Sequence, residues 1–133
     1  MAASSLKGPR VLLVDDHAET RKLVRRMLAD DGVDVVGEVG DGQAAVAFVE
    51  ATDVDVVVMD VRMPTMNGIE ATRAIKATSP DVQVIIFSIV DTDEEEAAAL
   101  AAGAYAYLVK GASFVSLPSR LLEAWQKDAK AAG

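Results

Sequence analysis

Two adjacent aspartates, Asp15 and Asp16, close the run VLLVDD, and a third, Asp60, closes VVVMD. A third apolar run, VIIFS, ends in the hydroxyl of Ser88, and a fourth, YLVK, ends in the ammonium of Lys110. Neighbouring carboxylates repel and raise each other's pKa unless a cation relieves them. Asp15 and Asp16 therefore suit a hard, oxygen-preferring cation. Mg²⁺, which keeps several waters and needs few carboxylates, is the expected one, with Mn²⁺ as a substitute. Asp60 can be both ligand and nucleophile, because aspartate accepts phosphoryl groups as an acyl phosphate. The oxygens of an incoming phosphoryl group need compensation. Lys110 can supply a mobile positive charge and Ser88 a hydrogen bond. Singly, each residue has a plainer explanation: a turn-forming or capping Asp, a turn hydroxyl, a solvated Lys at a strand end. Only their convergence on one place would favour the chemical reading.

The pattern of elements supplies that convergence. Short Val/Ile-rich runs predict strands β1 to β5 over 11–15, 33–39, 54–60, 82–88 and 104–109. VVVM and VIIF are apolar at consecutive positions, as a parallel strand covered on both faces requires. Between and after the strands, helical periods predict α1 to α5 over 18–29, 43–50, 68–78, 93–102 and 116–128. Leu23, Val24, Met27 and Leu28 form the inward stripe of α1, with Gly32 at its C-terminal end. Asp41 is placed to cap α2, whose Ala45, Phe48 and Val49 face inward, and Thr92 or Asp91 to cap α4. Ile69, Thr72 and Ile75 face inward on α3, Gly103 closes α4, and Pro118 is tolerable only in the first turn of α5. Strict β-α alternation with short loops predicts an α/β fold: one five-stranded parallel sheet with helices on both faces. Of the two common doubly wound orders, five strands fit the flavodoxin-like order 2-1-3-4-5. Ligands of such sheets bind beyond the carboxyl ends of the strands. Asp15, Asp16, Asp60, Ser88 and Lys110 all lie at those ends, from four different strands.

Composition narrows the function further. At 133 residues, half of them hydrophobic, the chain reads as one domain at 10–128, with a flexible segment 1–9 and a tail 129–133. Cysteine is absent and His17 is the single histidine, which excludes disulfides, thiolate sites and histidine-rich zinc sites. A net charge of −8 argues against direct nucleic-acid binding by this segment. The apolar runs are too short to cross a bilayer and MAASSLKGPR has no signal-peptide core, so a cytoplasmic location without membrane attachment is expected.

LLVDDH, VVVMDVRMPTMNGIEA, FS and YAYLVK together resemble the receiver domain of two-component response regulators, over essentially the whole chain. Pro64 and Gly68 stand at that family's offsets after Asp60. The resemblance implies a phosphoryl-accepting signalling module. A partner histidine kinase would phosphorylate Asp60, and Asp15, Asp16, Asp60 and the Arg62 carbonyl would serve Mg²⁺. Ser88 would follow the phosphoryl group, and Tyr107 would report the change on an α4-β5-α5 surface that meets a second copy or a downstream protein. Such a domain assists only its own phosphorylation and dephosphorylation and is not otherwise an enzyme. VDDHAETRKLV and VVGEVGDGQAAV are most similar to the subfamily with a LuxR/NarL-type helix-turn-helix output. After Trp125 only QKDAKAAG follows, with no room for that output, so a stand-alone receiver or a fragment is expected.

The sequence departs from the family at two positions. Gly111 stands where many receivers have Pro, which loosens that turn, and bulky Ile89 follows Ser88, which could narrow access to Asp60. Elsewhere the plain readings are the expectation. His17 is an exposed first-turn residue. Arg21, Lys22, Arg25 and Arg26 form a solvated face on α1, where by resemblance a kinase would dock. Glu94–Glu96 answer the helix dipole, and Trp125 packs at the core edge. A haloacid-dehalogenase-type phosphohydrolase would need an Asp two residues after the nucleophile, where Arg62 stands. A flavin-phosphate loop would be repelled by Asp15 and Asp16. The alternative retained is a degenerate receiver acting only as a protein-interaction or dimerisation domain.

Overall fold

The computed structural model describes residues 8–112 and 114–132. The strands are β1 (Arg10–Val14), β2 (Asp34–Val39), β3 (Val56–Met59), β4 (Gln83–Ser88) and β5 (Ala106–Val109). The helices are α1 (Ala18–Ala29), α2 (Gly42–Ala51), α3 (Gly68–Thr78), α4 (Asp93–Ala101) and α5 (Leu117–Ala132). All strand pairs are parallel, in the order β2-β1-β3-β4-β5. This is the expected flavodoxin-like sheet.

Side-chain alternation along the central strands divides the core in two. Leu12 and Val14 of β1, Val57 and Met59 of β3, and Val84 and Ile86 of β4 point to one face, where Ala45, Val49, Ala71, Ile75 and Ala99 cover them. Val11, Leu13, Val56, Val58, Ile85 and Phe87 point to the other, under Val24, Leu28, Leu117, Leu121 and Ala124. Thus α2, α3 and α4 lie on one face and α1 and α5 on the other. Trp125 packs against the second cluster, as expected.

The ends of the elements differ from the sequence reading where local contacts intervene. β3 begins at Val56, and Asp55 just before it is engaged at the amino edge, its carboxylate accepting from the Arg10 backbone at 2.8 Å and from the Arg10 guanidinium. It ends at Met59, leaving Asp60 outside the ladder and in the crevice. α5 runs past 128 to Ala132 through a stretch of good helix formers, with Pro118 in its first turn. Residues 1–7 of the segment expected to be flexible lie outside the described residues.

Leu23 does not join the inward stripe of α1; it is 51% exposed. Successive helical residues are about 100° apart. α1 seats on Val24 and Leu28, which turns Leu23 past the edge of the contact. Nor are Arg21 and Arg25 simply solvated. Both pair with Glu38 of β2, at 3.1 and 2.6 Å, tying α1 to the edge strand. Burial pushes Glu38 up, but the hydrogen bonds from Arg25 and Arg21 outweigh it and hold its carboxyl below the ordinary value.

Caps fix where the site-bearing loops end. Asp41 accepts from Ala44 N at 2.8 Å and Thr92 from Glu95 N at 3.2 Å. α3 opens with a reciprocal capping box: Asn67 Oδ1 accepts from Glu70 N at 2.9 Å and Glu70 Oε1 from Asn67 N at 3.1 Å. Asn67→Ala should destabilise the domain by about 1 kcal/mol, measured as a lower urea midpoint with an unchanged m-value.

Candidate functional site

β1 and β3 are hydrogen-bonded neighbours, so their ends lie side by side. Asp60 N donates to Val14 O at 2.9 Å, and Asp15 N donates to Val39 O at 3.1 Å, which sets Asp15 and Asp60 at one edge of the sheet. Both are buried, at 6% and 7% exposure. Lys110 reaches in from the end of β5, where its N–H donates to Ser88 O at 2.7 Å. Its Nζ lies 2.6 Å from Asp15 Oδ2 and 3.5 Å from Asp60 Oδ1. One ammonium therefore bridges two buried carboxylates.

The charge at Asp60 is contested. Burial pushes its carboxyl above the ordinary value, Lys110 pulls it down, and Asp15 pushes it up again; the balance is a raised pKa. Its Oδ1 accepts from Val61 N at 2.9 Å. Among the described residues, Val61 N and Lys110 Nζ both meet this carboxylate at Oδ1.

Asp16 is more exposed. Its Oδ1 lies 3.1 Å from His17 Nδ1, and the same nitrogen lies 3.2 Å from Asp15 Oδ1. Ligand atoms of Asp15, Asp16, His17 and Asp60 all fall within 4.8 Å of one another. Three hard carboxylates in that space fit a divalent cation such as Mg²⁺. His17 is exposed, as expected, yet it belongs to this group of side chains.

Ser88 is 1% exposed and ends β4 beside the same cavity, of about 260 Å³, which His17, Thr20, Asp60, Arg62, Ile89 and Lys110 also line. Ile89 is 74% exposed. Gly111 has φ +89°, a conformation closed to the ring of Pro, so the turn after Lys110 is built on a different backbone from a Pro-containing one.

The family model for the response regulator receiver domain matches residues 11–122. The chain belongs to that family. Receivers are phosphorylatable signalling domains that work with histidine kinases. The chain is similar to response regulator UvrY of Escherichia coli O6:H1, 45% identical over 104 residues, covering 77% of this chain and 48% of that protein. It is also similar to response regulator GacA of Pseudomonas viridiflava, 40% identical over 109 residues, 81% of this chain and 51% of that protein. This receiver thus spans about half the length of those relatives. Among solved structures, the signal receiver domain of NarL from Mycobacterium tuberculosis superposes with a TM-score of 0.85 at 31% identity, over 90% of this chain and 98% of that one. Among the described residues, no helix is long and apolar enough to cross a membrane.

Within the receiver, one residue escaped the sequence reading. The sequence places Glu95 with its neighbours at the helix dipole, but its carboxylate turns inward. Oε2 accepts from Ser88 Oγ at 2.8 Å and from the Tyr107 hydroxyl at 2.6 Å, and Oε1 lies 3.4 Å from the Arg62 guanidinium. The Tyr107 hydroxyl also meets the Val90 carbonyl. Burial and the Glu95 hydrogen bond push the phenol up to about 12. The spacing of Thr92 and Glu95 was the available signal, and it points elsewhere, to a capping box.

Proposed function

We propose that this receiver accepts a phosphoryl group on Asp60 from a partner histidine kinase and relays the change through Ser88 and Tyr107. The observation that carries this reading is the bridging ammonium. Lys110 holds Asp15 at 2.6 Å and stands 3.5 Å from Asp60, in a cavity that Ser88 also lines. An Asp60 oxygen attacks phosphorus, the bond from phosphorus to the donor breaks, and the donor departs with its electron pair. Lys110 then has a phosphoryl oxygen as well as Asp15 to compensate, and Ser88 a new acceptor within the cavity.

Asp15, Asp16, Asp60 and the Arg62 carbonyl would hold Mg²⁺ (or Mn²⁺), which when bound offsets the negative charge that gathers on the phosphoryl oxygens. Burial is the main reason the Asp60 carboxyl is raised, and a cation bound there would favour its ionised form. Tyr107 connects the pocket to β5, so the reading carries the α4-β5-α5 face as the switched surface, met by a second copy or a downstream protein. The cytoplasmic location expected from the sequence goes with it.

The test is intact mass after incubation with acetyl phosphate and Mg²⁺, with a sizing run on the same samples. One phosphoryl group should be gained by the wild type and none by Asp60→Asn. A gain retained by Asp60→Asn would move the acceptor elsewhere and sink the assignment. An increase in size confined to the phosphorylated wild type would identify dimerisation as the output.

A further inference from the structure

α3 and α4 open with the same pattern, a capping residue followed three positions later by Glu: Asn67 and Glu70, Thr92 and Glu95. In α3 both halves of the box form, Glu70 reaching back to the cap backbone. In α4 only the Thr92 half forms. The Glu95 carboxylate is diverted across the crevice and collects donors from three other segments: Ser88 at the end of β4, Tyr107 in β5 and Arg62 in the β3-α3 loop. The diversion gives up a local hydrogen bond that α3 makes. It also buries most of an anion, for the Glu95 side chain is 9% exposed. Such a carboxylate is held by its charge-assisted partners.

Ser88 has one hydroxyl proton. It can donate to Glu95 or to a phosphoryl oxygen on Asp60, not to both. Arg62 is one of the residues lining the cavity that holds Asp60 and Ser88, and its guanidinium is paired with the same Glu95. We infer that Glu95 is an internal stand-in for the phosphoryl group, an anion that occupies the Ser88 hydroxyl and the Arg62 guanidinium until Asp60 is phosphorylated.

This inference rests on Asp60 being the acceptor. Two consequences follow from the competition. Glu95 weakens the phosphorylated state by making it win Ser88 and Arg62 from an existing partner, a reciprocal linkage between the two anions. Loss of the Ser88 hydrogen bond also leaves Glu95 Oε2 with Tyr107 as its remaining hydroxyl donor, so the exchange reaches β5 directly. Glu95 is a positioning residue here; it acts through Ser88, Arg62 and Tyr107.

The probe is beryllium fluoride, a phosphoryl mimic, titrated calorimetrically with Mg²⁺ into the wild type, Glu95→Gln, Glu95→Ala and Asp60→Asn. Removing a charge-assisted competitor should tighten binding roughly 10-fold in Glu95→Ala. Glu95→Gln, which can still accept a neutral hydrogen bond, should fall between it and the wild type. Affinity for Mg²⁺ alone should stay unchanged in both Glu95 variants, whereas a merely loosened pocket would lower it. Binding that is no tighter in either Glu95 variant than in the wild type overturns the stand-in and leaves the acceptor assignment intact. Binding that survives in Asp60→Asn, or that fails in all four proteins, overturns the acceptor assignment and the inference with it.

Discussion

Lys110→Met should lower stability by about 3 kcal/mol at neutral pH, the usual cost of removing one partner from a buried ion pair. It should also slow phosphorylation by acetyl phosphate about 100-fold. Methionine preserves the bulk of the stem, so the loss isolates the ammonium. Without it Asp15 and Asp60 face each other, buried, with no counter-charge between them. The pH dependence has a definite sign. Asp60 already has a raised carboxyl, from burial first and from Asp15 as well, and Lys110 opposes both. Removing Lys110 raises it further. A carboxyl raised in the folded state costs stability as pH rises from its unfolded value through its folded one. The deficit of Lys110→Met should therefore be largest at neutral pH and shrink as pH falls toward the ordinary carboxylate value of 3.8. Urea midpoints of both proteins at several pH values would measure this. A deficit independent of pH would mean that Lys110 matters for its packing and not for its charge.

Gly68→Ala should cost about 3 kcal/mol, near the upper end for overpacking, and lower Tm by roughly 10 °C. Gly68 begins α3 directly behind the site. Its N–H donates to Val61 O at 2.8 Å, and its own carbonyl accepts from Thr72 Oγ1 at 2.7 Å. A Cβ there would run into the Asp60 carbonyl and lie 2.8 Å from Met59 Cγ. Backbone cannot rotate away as a flexible side chain can. Either α3 backs off the sheet or the Asp60 peptide moves. In the second case phosphorylation should fall more than 10-fold even well below the melting temperature, because reacting groups tolerate little misplacement. Full activity and a normal Tm would show that the loop yields at no cost, contrary to the contact.

These two residues illustrate what was legible in advance. Lys110 was readable because it stands at a strand end, and strand ends of a parallel sheet share an edge. Gly68 was readable only as part of a family pattern. The reason for glycine there, a carbonyl packed against its α-carbon, belongs to the meeting of α3 with β3. Leu23 shows the limit of periodicity: it is apolar and in phase with the stripe, yet the helix seats one residue further on. Arg21 and Arg25 show the limit for charges, since their partner Glu38 lies on another element.

The amino-acid sequence by itself determined the parallel five-stranded sheet, the two helical layers and the meeting of Asp15, Asp60, Ser88 and Lys110. Strand and helix periods are local properties, and alternation with right-handed crossovers leaves few topologies. Tertiary structure decided which acid of Glu94, Glu95 and Glu96 turns inward and what it holds. Adjacent positions on α4 differ by about 100° in direction. Only the seating of that helix beside the ends of β4 and β5 aims one of the three at Ser88 and Tyr107.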